Sequence, residues 1–115
     1  MLRGEIREVN FAPVRGSEAS KRRPAVIVSN DGANTTAARL NRGVITVVPL
    51  TSNVSRVYPF QVLLPASECG LRRDSKARAE QVRTVAIERV GRHVGQLPAP
   101  LMLELEDALR LHLGL

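Results

Sequence analysis

Arg23-Pro24-Ala25-Val26-Ile27-Val28-Ser29-Asn30-Asp31 is the stretch on which the fold reading turns. Ala25 to Val28 form a short, largely β-branched run, Pro24 fixes the backbone direction at its start, and Asn30-Asp31-Gly32 supplies a turn signal at its end. A run this short, apolar throughout and bounded by breakers, reads as a buried strand from Pro24 to Ser29. Two later segments repeat the pattern: Gly43 to Leu50, through Val44, Ile45, Val47 and Val48, and Val57 to Leu64, through Phe60, Val62, Leu63 and Leu64. An Asn-, Thr- and Ala-rich connection separates the first two of these strands. Upstream, Glu5 to Phe11 alternates well enough to be a first strand, ended by Pro13, and Val14 to Arg23 reads as a basic surface loop.

Downstream, Lys76 to Ala86 alternates loosely and reads as a fifth strand that bends midway, with helix as the competing reading. Glu88 to Val90 has the look of one helical turn, and Arg92 to Leu97 of a last short strand. From Pro100 the period changes: Leu101, Leu105, Ala108 and Leu109 follow helical spacing, with Met102 and Leu113 widening the stripe. Pro100 suits the first helical turn, and Glu104, Glu106 and Asp107 precede Arg110, the order a helix dipole favours. The expected fold is mainly β with α: a strongly bent antiparallel sheet or partial barrel capped by a C-terminal helix, residues 1–115 forming a single domain. The connections are too short for βαβ crossovers.

Of 115 residues, 43% are hydrophobic and 24% charged, a composition that excludes disordered and collagen-like chains. Seventeen basic against eleven acidic residues give a net charge of +6, which points to a polyanionic partner. Cys69 is the sole cysteine, so no intrachain disulfide forms, in keeping with a reducing cytoplasm. Charges at Arg3, Glu5, Arg7 and Glu8 break any signal-peptide core, and Val44 to Leu50 is far shorter than the roughly 20 residues of a membrane helix. The expectation is a cytoplasmic protein with no membrane partner.

Familiar catalytic sets are missing: no Gly-rich phosphate loop, no H-E-x-x-H and no G-x-S-x-G. His93 and His112 have no carboxylate or cysteine at metal-ligand spacing, and both read as ordinary strand and helix-end histidines. Cys69, beside Glu68, reads as an inert thiol. What stands out is polar: Lys21-Arg22-Arg23 at a loop-to-strand junction, Thr51-Ser52-Asn53 after a strand, and Glu80-Gln81 followed by Arg83-Thr84 inside an otherwise apolar stretch. Taken singly, a solvated charge run and a turn are the commoner explanations of the first two.

Taken together and in order, these segments carry a resemblance. Arg3-Gly4-Glu5-Ile6, Gly16-Ser17-Glu18, Arg23 to Asp31, Val48-Pro49-Leu50-Thr51-Ser52 and Glu80-Gln81-Val82-Arg83-Thr84 make the chain resemble the MazF (PemK/Kid-like) toxins of bacterial toxin-antitoxin systems over nearly its whole length. The resemblance implies an SH3-like (CcdB/PemK-like) partial barrel acting as a homodimer, and a metal-independent endoribonuclease without cofactors that cuts single-stranded RNA at short motifs. It implies a small acidic MazE-like antitoxin as partner. It also carries the family's catalytic pair onto Arg23 and Thr51, with the loop glutamate Glu18 implicated as well. Many members have Trp-x-Val-Asp where this chain has Arg7-Glu8-Val9-Asn10, so the contact that tryptophan supplies is lost or replaced here.

In such a reaction the RNA's own 2′-hydroxyl attacks the adjacent phosphorus, leaving a cyclic phosphate and a 5′-hydroxyl. Arg23 would meet the charge that builds on the phosphoryl oxygens and Thr51 would donate to the same group. The proton acceptor stays open, because an arginine is a poor base at neutral pH, and Glu18 is one candidate. Candidate RNA contacts are Lys21, Arg22, Ser52, Asn53, Arg56, Glu80 and Gln81, with Arg15, Arg72, Arg73, Lys76 and Arg78 as further phosphate-tracking cations. Phe11, Tyr58 and Phe60 are the few aromatics able to stack on bases, Tyr58 and Phe60 sharing one face if their segment is a strand. Two alternatives use the same fold: a basic barrel that binds nucleic acid without cutting it, and a toxin directed at DNA gyrase.

Overall fold

The computed structural model of the chain describes residues 1–11 and 21–115. In chain order its elements are β1 (Glu5–Asn10), β2 (Arg22–Ile27), α1 (Asp31–Leu40), β3 (Val44–Thr51), β4 (Gln61–Leu64), α2 (Ala66–Cys69), β5 (Ser75–Arg78), β6 (Arg83–Ala86), β7 (Val90–Gln96) and α3 (Ala99–Leu113). All pairings are antiparallel, in the order β4-β5-β3-β2-β1-β7, with β6 also on β3. β3 changes partner along its length. Val44 to Val47 pair with β6, whereas Leu50 and Thr51 pair with Ala77 and Lys76 of β5. A 3₁₀ turn at Ala79–Gln81 separates those two partners, so the segment from Lys76 to Ala86 does bend midway, as two strands rather than a helix.

The curled sheet is buried on both faces at its centre. Ile6, Val26, Val48 and Leu64 pack on one side with Leu101 and Leu105 of α3, and Val9, Ala25, Ile27, Ile45, Val47 and Val85 pack on the other. Alternate residues of β2 and β3 feed opposite cores, which is why both strands read as continuous apolar runs. The C-terminal helix buries Leu101, Leu105 and Ala108 as its spacing predicts, but Leu113 is exposed.

Three expectations need correction. Asn30-Asp31-Gly32 opens a helix instead of closing a turn: the Asn30 side chain caps α1 by accepting from the Ala33 backbone N–H at 2.8 Å. Val57 to Phe60 is not strand. The Tyr58 carbonyl accepts from Gln61 N–H at 2.8 Å, so the chain turns there before β4 begins. Arg22 and Arg23 belong to β2, not to the preceding loop.

Candidate active site

Where β2 begins and β3 ends, the sheet opens into a cleft of about 610 Å³. Ala25 pairs with Pro49 across β2 and β3, and this register, continued by two residues, sets Arg23 opposite Thr51. Arg23 and Pro24 line the cleft from β2, and Leu50, Thr51 and Ser52 line it from β3 and just beyond. The two residues of the sequence-derived catalytic pair, 28 positions apart in the chain, thus meet at one opening. Thr51 Oγ1 accepts from Asn53 N–H at 3.3 Å, a contact that uses a lone pair and not the hydroxyl proton.

The facing wall comes from two segments. Gly70 to Arg73 follow α2, and Arg92, His93 and Val94 belong to β7. A regular strand sends successive side chains to opposite faces, so three consecutive lining residues require an irregular one. β7 supplies it. Ile6 pairs with Gly95, Arg7 with His93 and Val9 with Val90, so Glu8 of β1 faces two residues of β7, Gly91 and Arg92. This is a β-bulge, a device that re-aims side chains. Gly91 and Gly95 permit the close approach: a Cβ on Gly91 would stand 3.2 Å from the Glu8 carbonyl oxygen, and one on Gly95 would overlap the Cys69 carbonyl oxygen.

Glu8 also lines the cleft, and its Oε2 accepts from Arg92 Nε at 2.8 Å. That hydrogen bond, helped by the charges of Arg92 and Arg22 and opposed by partial burial, holds the Glu8 carboxyl below the usual carboxylate range. Among the described lining residues, Arg23, Arg72, Arg73 and Arg92 set four guanidinium groups against the single carboxylate of Glu8. Such a site attracts a polyanion.

The remaining predicted contacts fall outside the cleft. Lys21 and Arg22 are exposed at the start of β2, and Asn53 accepts from Ser55 in the turn beyond Thr51. Arg56 lies over the Tyr58 ring and donates to its hydroxyl at 3.1 Å, and Tyr58 stacks on Phe60 with ring centroids 5.4 Å apart. Phe11 is covered by the Arg83 guanidinium. Lys76 is almost buried, its Nζ donating to the Arg56 carbonyl at 2.6 Å. Glu80 accepts from Gln61 at 2.6 Å, while Gln81 is exposed beside it. Arg78 is partly buried. Arg15, Gly16, Ser17 and Glu18 lie outside the described residues. Sequence reasoning missed Glu8, Arg92 and His93 as cleft residues, since a bulge has no local signature apart from the glycines that flank it.

A small curled antiparallel sheet, capped by a helix and carrying an arginine-lined cleft at one end, defines a class of compact anion-binding β proteins. Within that class the chain matches the family model described as PemK-like, MazF-like toxin of type II toxin-antitoxin system over residues 2–113, and it belongs to that family. Endoribonuclease MazF9 of Mycobacterium tuberculosis is 59% identical over 115 residues, spanning 100% of this chain and 98% of that protein. Endoribonuclease EndoA of Bacillus subtilis is 30% identical over 98% of this chain and 94% of its own length. The crystal structure of MazE-MazF (Form-II) from Deinococcus radiodurans superposes with a TM-score of 0.80 at 28% identity, covering 100% of this chain and 96% of that one.

Proposed function

We propose that this chain is the endoribonuclease toxin of a toxin-antitoxin system and cuts single-stranded RNA by attack of the RNA's own 2′-hydroxyl, with no metal ion. The observation that carries this reading is the meeting of Arg23 and Thr51 at the mouth of one cationic cleft. Arg23 offers a planar fork of donors to the phosphoryl oxygens, and Thr51 offers a hydroxyl donor from the opposite strand. Both contacts strengthen as negative charge builds in the transition state. Among the described residues no three His, Cys, Asp or Glu side chains gather where they could hold a metal ion, which favours a route whose nucleophile comes from the substrate.

Ser52 lines the cleft with this pair, while Lys21, Arg22, Asn53, Arg56, Glu80 and Gln81 are the proposed contacts along the flanking RNA, and Glu18 is a candidate base on the preceding loop. The relatives named MazE-MazF support an acidic antitoxin whose chain lies over this cationic cleft, and family membership supports a homodimer. The match over residues 2–113 supports a single toxin domain. No helix among the described residues is long and apolar enough to cross a membrane, in keeping with a toxin that works on RNA in the cytoplasm.

The test is incubation with a long single-stranded RNA in EDTA, beside Arg23→Ala and Thr51→Ala. Cuts bearing 5′-hydroxyl and cyclic phosphate ends are expected, and each variant should be slower by about 10²–10³-fold, the usual cost of one transition-state donor. RNA that is bound but stays intact would overturn the reading in favour of a non-catalytic barrel.

A further inference from the structure

Cleavage by a 2′-hydroxyl moves two protons, one off the attacking oxygen and one onto the departing 5′-oxygen. Arg23 has no acceptor for the first, and a threonine hydroxyl is a weak source of the second. The cleft itself contains one carboxylate and one imidazole among its described residues, Glu8 and His93, on neighbouring strands. Resting on the ribonuclease reading above, we propose that Glu8 accepts the 2′-hydroxyl proton and that His93 donates a proton to the 5′-oxygen. The 2′-oxygen then forms its bond to phosphorus as the bond from phosphorus to the 5′-oxygen breaks. The products are a 2′,3′-cyclic phosphate, a 5′-hydroxyl, protonated Glu8 and neutral His93, and proton exchange with water restores the starting enzyme.

Three observations support the assignment. First, the bulge in β7 sets Arg92, His93 and Val94 together on the cleft wall, although a regular strand would turn at least one of them away. The close approaches at Gly91 and Gly95 show that the irregularity is built into the packing. Secondly, Arg92 engages Oε2 of Glu8 at 2.8 Å, which fixes the carboxylate and leaves acceptor capacity on its other oxygen. The Arg92 side chain is 72% exposed, so this pair contributes little to stability. Thirdly, the groups facing the two residues suit an anionic substrate. Glu8 faces Arg92 from β7, Arg22 and Arg23 from β2, and the cleft arginines Arg72 and Arg73. His93 is paired with Arg7 of β1 and shares the cleft with those arginines. A bound phosphate would offset that surplus of positive charge beside the imidazolium.

Single-turnover cleavage in EDTA of a short RNA with one cut site, followed across pH, tests the assignment with wild type, Glu8→Gln, Glu8→Asp, His93→Ala, Glu18→Gln and Arg23→Ala. A second RNA carries sulfur in place of the 5′-bridging oxygen, a leaving group that departs without a proton. Glu8→Gln and His93→Ala are expected to slow cleavage by about 10²–10⁴-fold while still binding RNA. The sulfur substrate should restore His93→Ala and leave Glu8→Gln slow, and Glu8→Asp, which keeps the carboxylate, should recover part of the rate. The fall in wild-type rate on the acid side, lying below the ordinary glutamate value of about 4.3, should vanish in Glu8→Gln. If Arg23→Ala abolishes cleavage but Glu8→Gln and His93→Ala do not slow it, or sulfur fails to restore His93→Ala, the assignment is wrong and the ribonuclease reading stands. If Glu18→Gln alone removes the acid limb, the base is on the loop. If wild type cuts neither substrate, the ribonuclease reading itself fails.

Discussion

Glu5 carries its charge into an almost buried position at the start of β1. Oε2 accepts from Leu2 N–H at 2.7 Å and Oε1 from Arg7 Nε at 3.0 Å. Burial pushes its carboxyl up, but these bonds, with the charges of Arg7 and the N-terminus, outweigh burial and leave it below the usual value. A depressed folded value means stability that is complete above the unfolded value of about 4.3 and is lost as pH falls through the folded one. Glu5→Gln should therefore lower stability at pH 7 by about 1–2 kcal/mol and flatten its loss below pH 5, read by urea unfolding across pH. The neighbouring Arg7, standing where many relatives have tryptophan, replaces an apolar contact with a polar tie: its Nη1 donates to the Gly91 carbonyl at 3.1 Å, across the bulge. Cys69 is buried beside Glu68, both of which raise its thiol, in line with the inert role expected of it. At this scale Arg23 and Thr51 were legible because each sits in a short motif with polar neighbours. Glu8 and His93 were not, because their meeting depends on how two strands slip past each other.

Elements built on apolar period were legible, and those built on hydrogen bonds were not. β2, β3 and α3 declare themselves through Val26, Ile27, Val47, Val48, Leu101 and Leu105, all buried. α1 does not, since its buried residues are only Asn34 and Ala37. It docks through a polar knot: Asn34 Nδ2 donates to the Ser29 carbonyl at 2.8 Å, Ser29 Oγ donates to Asn34 Oδ1, and the Thr46 N–H on β3 donates to Ser29 Oγ at 3.1 Å. A helix held this way shows no stripe, and its opening Asn-Asp-Gly resembles a turn. Asn34→Ala would strand the Ser29 groups in a site with no exposure at Asn34, so a loss of about 2 kcal/mol is expected in chemical denaturation. The same substitution at the exposed Thr35, on the solvent side of α1, should change stability by less than about 0.5 kcal/mol.

For the whole molecule, the net charge of +6 announced a polyanionic partner, and the fold gathers part of that charge at the cleft through Arg23, Arg72, Arg73 and Arg92. If Arg72 neutralises one RNA phosphate, Arg72→Ala should reduce the slope of log affinity against log salt by about 0.7, as measured by titrations at several salt concentrations. An unchanged slope would make it a solvated bystander. The curled sheet was legible from its short strands and tight connections, but its closure was not: β1 pairs at once with β2 and, some 90 residues along the chain, with β7. That pairing sets a clock on synthesis. Glu8 leaves the ribosome early and Val94, on the opposite wall of the cleft, leaves 86 residues later. At ordinary translation speeds the interval is about 4–17 s. A half-made chain therefore has one wall of its cleft and no opposing wall, and the messenger that encodes it is read nearly to the end before its product has a complete site.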